Sequence, residues 1–360
     1  MSQDDCIFYA DSNIPFLPES LSNLGEVNIY YGRAIDRETV KRATALFARS
    51  TIKINADLLA GSAVRFAATA TSGTDHVDEA YLESRGIAFA SAPGSNANSV
   101  AEYVIYSILK FLGGASAAGQ TLGVVGFGNI GRIVSRFAHY LNMRVLVSDP
   151  PLERSGFPFP GYVETVPFND VVKYSSIVTN HVPLTAEGAD ATKNLFSREV
   201  IETIPTGALF IHASRGGVVD EAALLDRLKR KELVAAVDVW EREPDFNPEL
   251  ARRCILATPH VAGHSYDGKL RGSVALLDAY KKFSQKMPDY SRLMLELSSY
   301  SPMPRESYRE TERIFRLLAK RRLFELDTLD LLNLAGKSEK ERREGFDFLR
   351  KNYPARRESL

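Results

Sequence analysis

The amino-acid sequence predicts an α/β protein with two doubly wound parallel-sheet domains and a smaller C-terminal region. Short apolar runs rich in β-branched residues alternate with amphipathic helical patterns as far as Gln285, which is typical of parallel strands covered on both faces. A glycine-rich turn at 126–131 lies between a strand pattern and a helix pattern. From Lys286 the composition shifts to basic helical segments with scattered acids. We therefore expect two sheet domains followed by a region of different architecture.

Apolar runs in the N-terminal part predict five strands, at 6–10, 27–31, 45–48, 65–69 and 87–91. Ligands of parallel sheets bind beyond the carboxyl ends of the strands. This places Arg49, Ser50 and Thr71 near the mouth of a ligand site. Ser and Thr also favour turns, so position alone supports a ligand site and simple turn chemistry equally.

A long helix is predicted to link the two sheet domains. A Pro-Gly pair at 93–94 interrupts the chain, and Asn98 or Ser99 can then cap the helix. The glycine pair at 113–114 ends it shortly before the next strand. Its apolar face consists of Val100, Val104, Ile105, Ile108 and Leu109.

The stretch TLGVVGFGNIG at 121–131 carries the clearest functional signal. Gly126, Gly128 and Gly131 follow a strand pattern in the spacing GxGxxG, and a helical pattern begins at Asn129. In a dinucleotide site these glycines permit a tight turn, a close approach of the backbone to the pyrophosphate, and helix–strand packing. The helix N-terminus offers free N–H groups and a partial positive charge to the phosphates. The strand–turn–helix context predicts a Rossmann-like domain that binds NAD(H).

Asp149 follows the next predicted strand, 144–148, about twenty residues beyond the glycines. A carboxylate there pairs with the adenosine ribose hydroxyls and repels the additional phosphate of NADP. We therefore expect NAD as the cofactor. The alternative is that Asp149 caps the turn before Pro150 and Pro151.

Three chemically suited residues, Arg215, Glu243 and His260, lie just past predicted strands on the expected cofactor side. Hydride transfer from a 2-hydroxy acid needs a group that takes the hydroxyl proton, a cation for the carboxylate, and a partner that orients the proton carrier. His suits the first role and the Arg fork the second. A neighbouring carboxylate suits the third. Taken singly, each has a plainer interpretation, as a loop histidine, a surface ion-pair residue or one more acid in EREPD.

The other histidines, His76, His139 and His181, do not combine with acids in this way, and no metal site is expected. The length of 360 residues suggests two or three domains, and the formal net charge of zero suggests neither nucleic acid nor a membrane as partner. Two cysteines, together with an N-terminus that does not resemble a signal peptide, lead us to expect a cytoplasmic protein.

The segment 286–360 has too few apolar residues for a comfortable core of its own. We expect it to pack on another surface, most simply a second copy of the chain. Pro288, Pro302 and Pro304 mark its linker-like start. Its last basic residues could contact a phosphate group of a ligand or could form a solvated helix face. These residues are Arg350, Lys351, Arg356 and Arg357.

Taken together, GFGNIG with Asp149, ASRGGVVDEAAL, AAVDVWEREP and TPHVAG resemble the D-2-hydroxyacid dehydrogenase family in order and spacing. The resemblance implies that Arg215 binds the substrate carboxylate, that His260 is the acid/base and that Glu243 pairs with it. It also implies that Asp238 binds the nicotinamide carboxamide. The family further implies a substrate domain built from 1–95 with 257–285 and an NAD domain at 96–256.

Further stretches resemble a branch of this family that oxidises a phosphorylated 2-hydroxy acid: DSNIPF, ARSTIKIN, ATATSGTDHVDEAYL and HVAGHSYDGKLRGS. The terminal FDFLRKNYPARRES resembles its dimerisation region, which makes 286–360 the expected homodimer contact. On this pattern the substrate residues are Ser50, Thr71 and His264. The implied cofactor residues are Gly126, Gly128, Asn129, Ile130, Gly131, Asp149, Val182, Ala213, Ser214, Arg215, Asp238 and Gly263. The alternatives are another D-2-hydroxy acid as substrate, or a non-enzymatic NAD(H)-sensing protein on the same scaffold.

Overall fold

The computed structural model describes residues 6–299, 303 and 310–360, so two of the expected linker prolines, Pro302 and Pro304, lie outside the described residues. The chain divides into two compact units, Met1–Asn96 with Ser265–Ser301 and Ala97–His264 with Pro302–Leu360. Within the described ranges, no helix combines the length and the apolar character that crossing a membrane requires.

The first unit contains a parallel sheet whose five strands match the predicted ones to within one residue at each end. Their order is β2-β1-β3-β4-β5, with every neighbouring pair parallel. The switch between β1 and β3 leaves a crevice at the carboxyl ends of the strands, where ligands of such sheets bind. The strands are β1 Ile7–Asp11, β2 Glu26–Tyr30, β3 Ala45–Ala48, β4 Phe66–Thr69 and β5 Ala88–Ala90.

Helices cover this sheet, and the longest of them supplies the centre of an aromatic core. Tyr280 packs edge-on against Phe8, Phe47 and Phe66, with ring centroids 5.3, 5.8 and 5.4 Å away. The helices, numbered along the whole chain, are α1 Leu17–Leu21, α2 Arg37–Val40, α3 Ala56–Leu59, α4 Glu79–Ser84, α12 Tyr266–Ser284 and α13 Ser291–Ser298. The sequence pattern at 266–285 predicts one long amphipathic helix, and the bounds of α12 confirm it.

The second unit contains a seven-stranded parallel sheet in the order β12-β11-β10-β9-β6-β7-β8. Apolar runs at 122–125, 144–148, 176–180, 208–212, 235–239 and 254–257 predict six of these strands, whereas the two-residue edge strand β8 was not predicted. The chain order reverses between β6 and β9, which marks the dinucleotide crevice of a doubly wound sheet. The strands are β6 Thr121–Val125, β7 Arg144–Ser148, β8 Glu164–Thr165, β9 Ile177–Asn180, β10 Ala208–His212, β11 Leu233–Val237 and β12 Leu256–Ala257.

The helices of this unit begin with the predicted linking helix α5, which starts at Ala97 and not after Asn98 or Ser99. The expected cap is therefore wrong, because the Ser99 hydroxyl is fully buried and donates to the carbonyl oxygen of Ala262 at 2.6 Å. The helices are α5 Ala97–Leu112, α6 Asn129–Tyr140, α7 Pro150–Arg154, α8 Phe168–Tyr174, α9 Arg198–Thr203, α10 Glu221–Lys229, α11 Pro248–Ala251, α14 Thr311–Arg322, α15 Phe324–Leu334 and α16 Glu339–Lys351.

The C-terminal segment, helices α14 to α16 with the residues that follow them, packs on its own chain. Phe324 packs against Tyr103 of α5, and Thr328 accepts a hydrogen bond at 3.2 Å from Ala257 N on the edge strand β12. Composition alone suggested that this segment needs a second copy to pack on, but α5 and the sheet edge already cover much of it. Phe346 is buried, whereas Phe348 is 64% exposed and does not cover an apolar face of this chain.

A buried ion pair anchors this segment to α5. The guanidinium of Arg322 lies 2.5 Å from the Glu102 carboxylate, and both side chains are fully buried. Glu102 also accepts hydrogen bonds from the backbone N–H groups of Ser359 and Leu360, so the end of the chain is bound to the same carboxylate. Arg322 further donates to the Ser99 hydroxyl at 2.7 Å. Nη1 and Nη2 of Arg322 and both Glu102 oxygens therefore have partners that offset part of the cost of burial, whereas Nε of Arg322 has none among the described residues.

Candidate active site

The loops that follow the parallel strands of the second unit meet at one edge of its sheet, as the parallel topology requires. Gly126 follows β6, Asp149 follows β7 and Val182 lies two residues beyond β9. Arg215 comes three residues after β10, and His260 three residues after β12. The sequence-predicted cofactor and catalytic residues of this unit are thus gathered along one edge.

The glycine loop between β6 and α6 has the shape of a dinucleotide cradle. Gly126 has a φ of 90°, which forms the predicted tight turn. A Cβ on Gly131 would lie 2.1 Å from the carbonyl oxygen of Gly126, so only glycine lets α6 approach the strand. A Cβ on Gly128 would meet no described atom within 4 Å. The packing of this chain therefore does not require glycine at 128, and the open space beside it at the start of α6 fits a pyrophosphate.

Asp149 caps the helix that follows it and also contacts the glycine loop. Its Oδ1 accepts from Leu152 N at 3.1 Å and caps α7, while its Oδ2 accepts from Phe127 N in the glycine loop at 2.7 Å. The carboxylate is thereby fixed beside the cradle, and each oxygen retains a lone pair for a further donor. This arrangement suits a ribose diol.

Glu243 and His260 form a direct pair. The Nδ1 atom of His260 lies 3.0 Å from Oε1 and 2.8 Å from Oε2 of Glu243. Because a carboxylate only accepts hydrogen bonds, Nδ1 carries the proton, and Nε2 presents a lone pair. The imidazole is 29% exposed, and Nε2 has no partner among the described residues. The pair therefore has the geometry of a general base held in one tautomer.

Neighbouring groups keep the Glu243 carboxyl ionised. Burial alone would raise the pKa of Glu243, but the charge and hydrogen bond of His260, the charge of Arg350 and the N–H of Trp240 outweigh it and leave the pKa lowered. Three further ionisable groups face the pair, from β10, α10 and the loop after β11. Burial lowers the pKa of His212 to about 3 and raises the pKa of Glu221 to about 7. Burial also raises the pKa of Asp238, although His260 opposes this.

Asp238 holds the loop that carries His260. Its Oδ1 accepts from Thr258 Oγ1 at 2.6 Å, Val261 N at 2.8 Å and Ala262 N at 3.0 Å. The backbone N–H of His260 donates to the Asp238 carbonyl at 2.8 Å. His260 has a φ of 56°, a left-handed conformation that a non-glycine residue adopts at some cost. The hydrogen bonds to Asp238 maintain this conformation and so fix the direction of the imidazole.

Helix α16 packs on the loop that carries Glu243. Three of its side chains, one turn apart, each contact a different residue of that loop. Arg342 donates to Asp245 at 2.9 Å, and the ring of Phe346 stacks on that of Phe246 at 6.1 Å. Nη1 of Arg350 lies 3.7 Å from Oε2 of Glu243.

Two expectations for the basic tail change with these contacts. The prediction of a solvated helix face is wrong for Arg350, which lies beside Glu243. It is also wrong for Arg356, whose side chain is 9% exposed and pairs with Asp327 at 2.7 Å. Arg350 was singled out in the sequence only as one of a basic group. Its contact with Glu243 had no local signal, because it joins two distant parts of the chain. The C-terminal region thus contributes to the charge environment of the catalytic pair.

Substitution of Glu243 and substitution of its neighbour Arg350 should move the pH dependence of oxidation in opposite directions. In Glu243→Gln the imidazolium loses its carboxylate partner, so the acidic limb of the profile should move to lower pH. In Arg350→Gln the imidazolium loses a like charge, so the acidic limb should move to higher pH. The measurement is kcat against pH. Arg343→Gln, on an exposed part of α16 beside Glu339, serves as the control. If Glu243→Gln and Arg350→Gln moved the acidic limb equally and in the same direction, the roles assigned to Glu243 and Arg350 would be wrong.

The loop after β10 places Arg215 and Ser214. A Cβ on Gly216 would lie 2.1 Å from the carbonyl oxygen of Trp240, so this loop sits directly on the start of the Glu243 loop. Nη1 of Arg215 donates to the Ser214 carbonyl at 2.9 Å, and its side chain is half-buried. Ser214 is buried and donates to Asn180 Oδ1. Sequence reasoning missed the part that Asn180 plays in this network.

The remaining predicted residues lie in two places. Val182, Ala213 and Gly263 lie in loops at the same edge of the second unit as the glycine cradle, and Asn129 and Ile130 open α6. His264 ends the first long segment of this unit, and its ring meets Tyr353 edge-on at 5.6 Å. Ser50 and Thr71 lie in the first unit, at the carboxyl ends of β3 and β4. In the described part of the chain, no cluster of three His, Cys, Asp or Glu side chains is arranged to hold a metal ion.

The second unit matches a known family model. Residues 102–262 match the model described as D-isomer specific 2-hydroxyacid dehydrogenase, NAD binding domain. The glycine cradle, Asp149 and the His260–Glu243 pair all lie within this range. Fold and site together define an NAD-dependent dehydrogenase, and the predicted cofactor is confirmed.

Curated relatives extend the likeness over nearly the whole chain. An erythronate-4-phosphate dehydrogenase of Pseudomonas fluorescens is 36% identical over 98% of this chain and 93% of its own length. The enzyme of that name from Pectobacterium carotovorum is 38% identical over 97% of this chain and 91% of its own. The chain belongs to the D-isomer specific 2-hydroxyacid dehydrogenase family, and these relatives within it are erythronate-4-phosphate dehydrogenases.

Solved structures agree on the fold. The NAD⁺-bound 3-phosphoglycerate dehydrogenase of Entamoeba histolytica has a TM-score of 0.65 at 23% identity, and covers 78% of this chain and 96% of that one. D-lactate dehydrogenase of Aquifex aeolicus, complexed with NAD and lactic acid, has a TM-score of 0.62 at 23% identity. It covers 78% of this chain and 95% of its own.

Asp149→Asn should weaken NAD binding and narrow the preference for NAD over NADP, because asparagine keeps a hydrogen-bond acceptor for Phe127 N but removes the charge. Loss of charge-assisted hydrogen bonds to the ribose should raise the NAD dissociation constant by about tenfold. Fluorescence titration with NADH and NADPH measures both changes. A wild-type protein that bound the two cofactors equally would contradict this role for Asp149.

Proposed function

We propose that this chain oxidises 4-phospho-D-erythronate to 2-oxo-3-hydroxy-4-phosphobutanoate with NAD, a step in pyridoxal 5′-phosphate biosynthesis in the cytoplasm. The observation that carries the chemistry is the His260–Glu243 contact, with Nε2 of the imidazole left without a partner among the described residues. The substrate follows from the names of the relatives, which match almost the full length of the chain.

Proton transfer follows from the tautomer that Glu243 imposes. Nε2 of His260 takes the proton of the 2-hydroxyl group, and the ionised Glu243 carboxylate stabilises the imidazolium that forms. The glycine loop and Asp149 would hold NAD⁺, which would supply the acceptor for the hydride of carbon 2. Arg215 binds the substrate carboxylate, because its planar guanidinium matches two carboxylate oxygens. Asp238 keeps the His260 loop in place and provides an acceptor for the nicotinamide carboxamide.

The phosphorylated end of the substrate is assigned to the first unit. Ser50 follows β3 and supplies a hydroxyl donor, Arg49 supplies a charge, and Thr71 follows β4. The Thr71 hydroxyl lies 2.9 Å from that of Thr69 and donates to the Gly73 carbonyl at 2.8 Å. This local network orients the Thr71 hydroxyl at the strand end, where it can take part in substrate binding.

Initial rates of NADH formation test the proposed function. We expect 4-phospho-D-erythronate to give a kcat/KM at least about a hundredfold above that of unphosphorylated D-erythronate, because contacts to the phosphate group supply binding energy that the unphosphorylated acid lacks. Glycolate and D-lactate serve as further members of the family's substrate class. Equal rates with D-erythronate and its phosphate would overturn the proposed substrate, and an absence of NADH formation with all four acids would overturn the enzymatic assignment.

A homodimer through the C-terminal region is the second part of the proposal. Its support is a set of large apolar side chains that are exposed on α15, on α16 and between α14 and α15, and exposed groups of this kind mark contact surfaces. They are Leu323, Leu326, Leu329 and Phe348.

Light scattering of a variant with Leu329→Glu and Phe348→Glu tests this contact. The substitutions should convert a dimer into a monomer that keeps its circular dichroism spectrum, because they place charges on the shared apolar surface. The control is Tyr174→Glu, an exposed aromatic residue on α8. A dimer that survives the double substitution would rule out this surface.

A further inference from the structure

A buried carboxylate at the end of β1 holds one cation of the first unit. Oδ2 of Asp11 lies 3.4 Å from Nε of Arg49, which directly follows β3, and the Asp11 side chain is fully buried. Asp11 also accepts from Asn13 N at 2.8 Å and from the Thr51 hydroxyl at 3.3 Å. Arg49 Nε is buried, yet it makes no hydrogen bond within the described residues. Asp11 therefore orients the arginine, and the guanidinium keeps capacity for another anion.

A second cation, Lys269, lies over the same strand end. It shares one face of α12 with Gly272 and Ser273, three and four residues further on. The Ser273 hydroxyl donates to the Pro15 carbonyl beyond β1 at 2.7 Å, and a Cβ on Gly272 would lie 3.6 Å from the Ala70 carbonyl oxygen beyond β4. In the sheet β3 lies between β1 and β4. One turn nearer the helix start, Lys269 therefore lies above the end of β3, where Arg49 begins the loop.

The charges at this place do not balance. Burial and the charge of Arg49 lower the pKa of Lys269, while Asp11 partly opposes this. In the described part of the chain the Lys269 ammonium group makes no hydrogen bond or ion pair. Two cations thus have one carboxylate as their shared counter-charge. Partly buried cations that repel each other cost stability unless an anion joins them.

We propose that Arg49 and Lys269 together bind the phosphate group of the substrate, with the hydroxyl group of Ser50 as a further donor. Asp11 remains the residue that holds Arg49 in place. A phosphate monoester carries nearly two negative charges and three acceptor oxygens, which suits one guanidinium fork and one ammonium point charge. The assignment rests on the proposed function and adds Lys269, a residue that sequence reasoning did not single out, as a determinant of phosphate specificity.

Lys269→Gln tests the assignment by steady-state kinetics. We expect KM for 4-phospho-D-erythronate to rise by about ten- to a hundredfold with kcat changed little, because the charge-assisted contact exists in both ground and transition states. The kcat/KM for unphosphorylated D-erythronate should stay within about twofold of wild type. Lys269→Arg should recover much of the affinity. Lys281→Gln, an exposed position in the last turn of α12, is the matched control.

A structural role for Lys269 predicts a different pattern. Loss of a stabilising lysine would lower the melting temperature and impair both substrates alike, whereas removal of an unpaired, partly buried ammonium should leave the melting temperature unchanged or raise it. Equal losses for the two substrates, or an unchanged KM for the phosphorylated one, would overturn the proposal.

Calorimetric titration with inorganic phosphate separates this proposal from the proposed function. The wild-type protein should bind phosphate, and Lys269→Gln and Arg49→Gln should bind it at least about tenfold more weakly. If the wild type fails to oxidise 4-phospho-D-erythronate but this difference remains, the proposed substrate is wrong and the anion site stands. Phosphate binding that is equal in all three proteins would reject the anion site whatever the substrate.

Discussion

Replacement of His260 by asparagine should lower kcat by about two to four orders of magnitude, the usual contribution of general acid–base catalysis. Asparagine tolerates the left-handed backbone at this position better than alanine does, so the loop held by Asp238 should keep its conformation. NADH binding should change little, because the glycine cradle and Asp149 lie in other loops. Stopped-flow absorbance and NADH fluorescence titration measure the two quantities separately.

His139→Asn is the matched control for this experiment. His139 lies exposed in the last turn of α6 and stacks on Tyr162 at 4.7 Å. Its replacement should leave kcat unchanged. A His260→Asn enzyme with wild-type turnover would show that another group accepts the hydroxyl proton.

Replacement of Glu102 by glutamine should reduce the free energy of unfolding of the second unit by about 3–5 kcal/mol, because it removes the carboxylate that is paired directly with the buried Arg322 guanidinium. The same substitution weakens the acceptor for the N–H groups of Ser359 and Leu360. Trp240 is the single tryptophan of the chain and is buried in this unit, so its fluorescence during urea denaturation reports the transition.

Two further variants show whether the loss of stability comes from the buried Glu102–Arg322 pair. Glu164→Gln breaks an exposed bidentate ion pair with Arg144 in the same unit and should leave the transition nearly unchanged. The double variant Glu102→Gln with Arg322→Met should regain part of the lost stability, because it removes both buried charges. If Glu102→Gln and Glu164→Gln behaved alike, the buried pair would not be the anchor of the C-terminal segment.

The strands of both sheets could be predicted because buried parallel strands are short apolar runs that local sequence displays. The exception, β8, consists of Glu164 and Thr165, two exposed polar residues with no apolar pattern. The start of α5 was also placed wrongly. Serine is a residue type that often caps helices, but the Ser99 hydroxyl donates to Ala262 and accepts from Arg322, both of which are distant in sequence.

The same physical reason separates the site residues that could be predicted from those that could not. The glycine cradle, Asp149 and the identities of His260 and Glu243 follow from residue types just after predicted strands, since topology brings strand ends together. The position of Arg350 beside Glu243 and that of Lys269 near Arg49 could not be predicted, because each depends on how a helix packs against distant parts of the chain. For the same reason, composition alone did not reveal that the C-terminal segment packs on its own chain.

The central claim is that the 2-hydroxyl proton passes to Nε2 of His260 while Glu243 stays ionised. The most direct test is the pH dependence of NADH formation from 4-phospho-D-erythronate in a single turnover. We expect the wild-type rate to rise about tenfold per pH unit on the acidic side and then level off, and this dependence to vanish in His260→Asn. The same pH dependence in wild type and variant would contradict the claim.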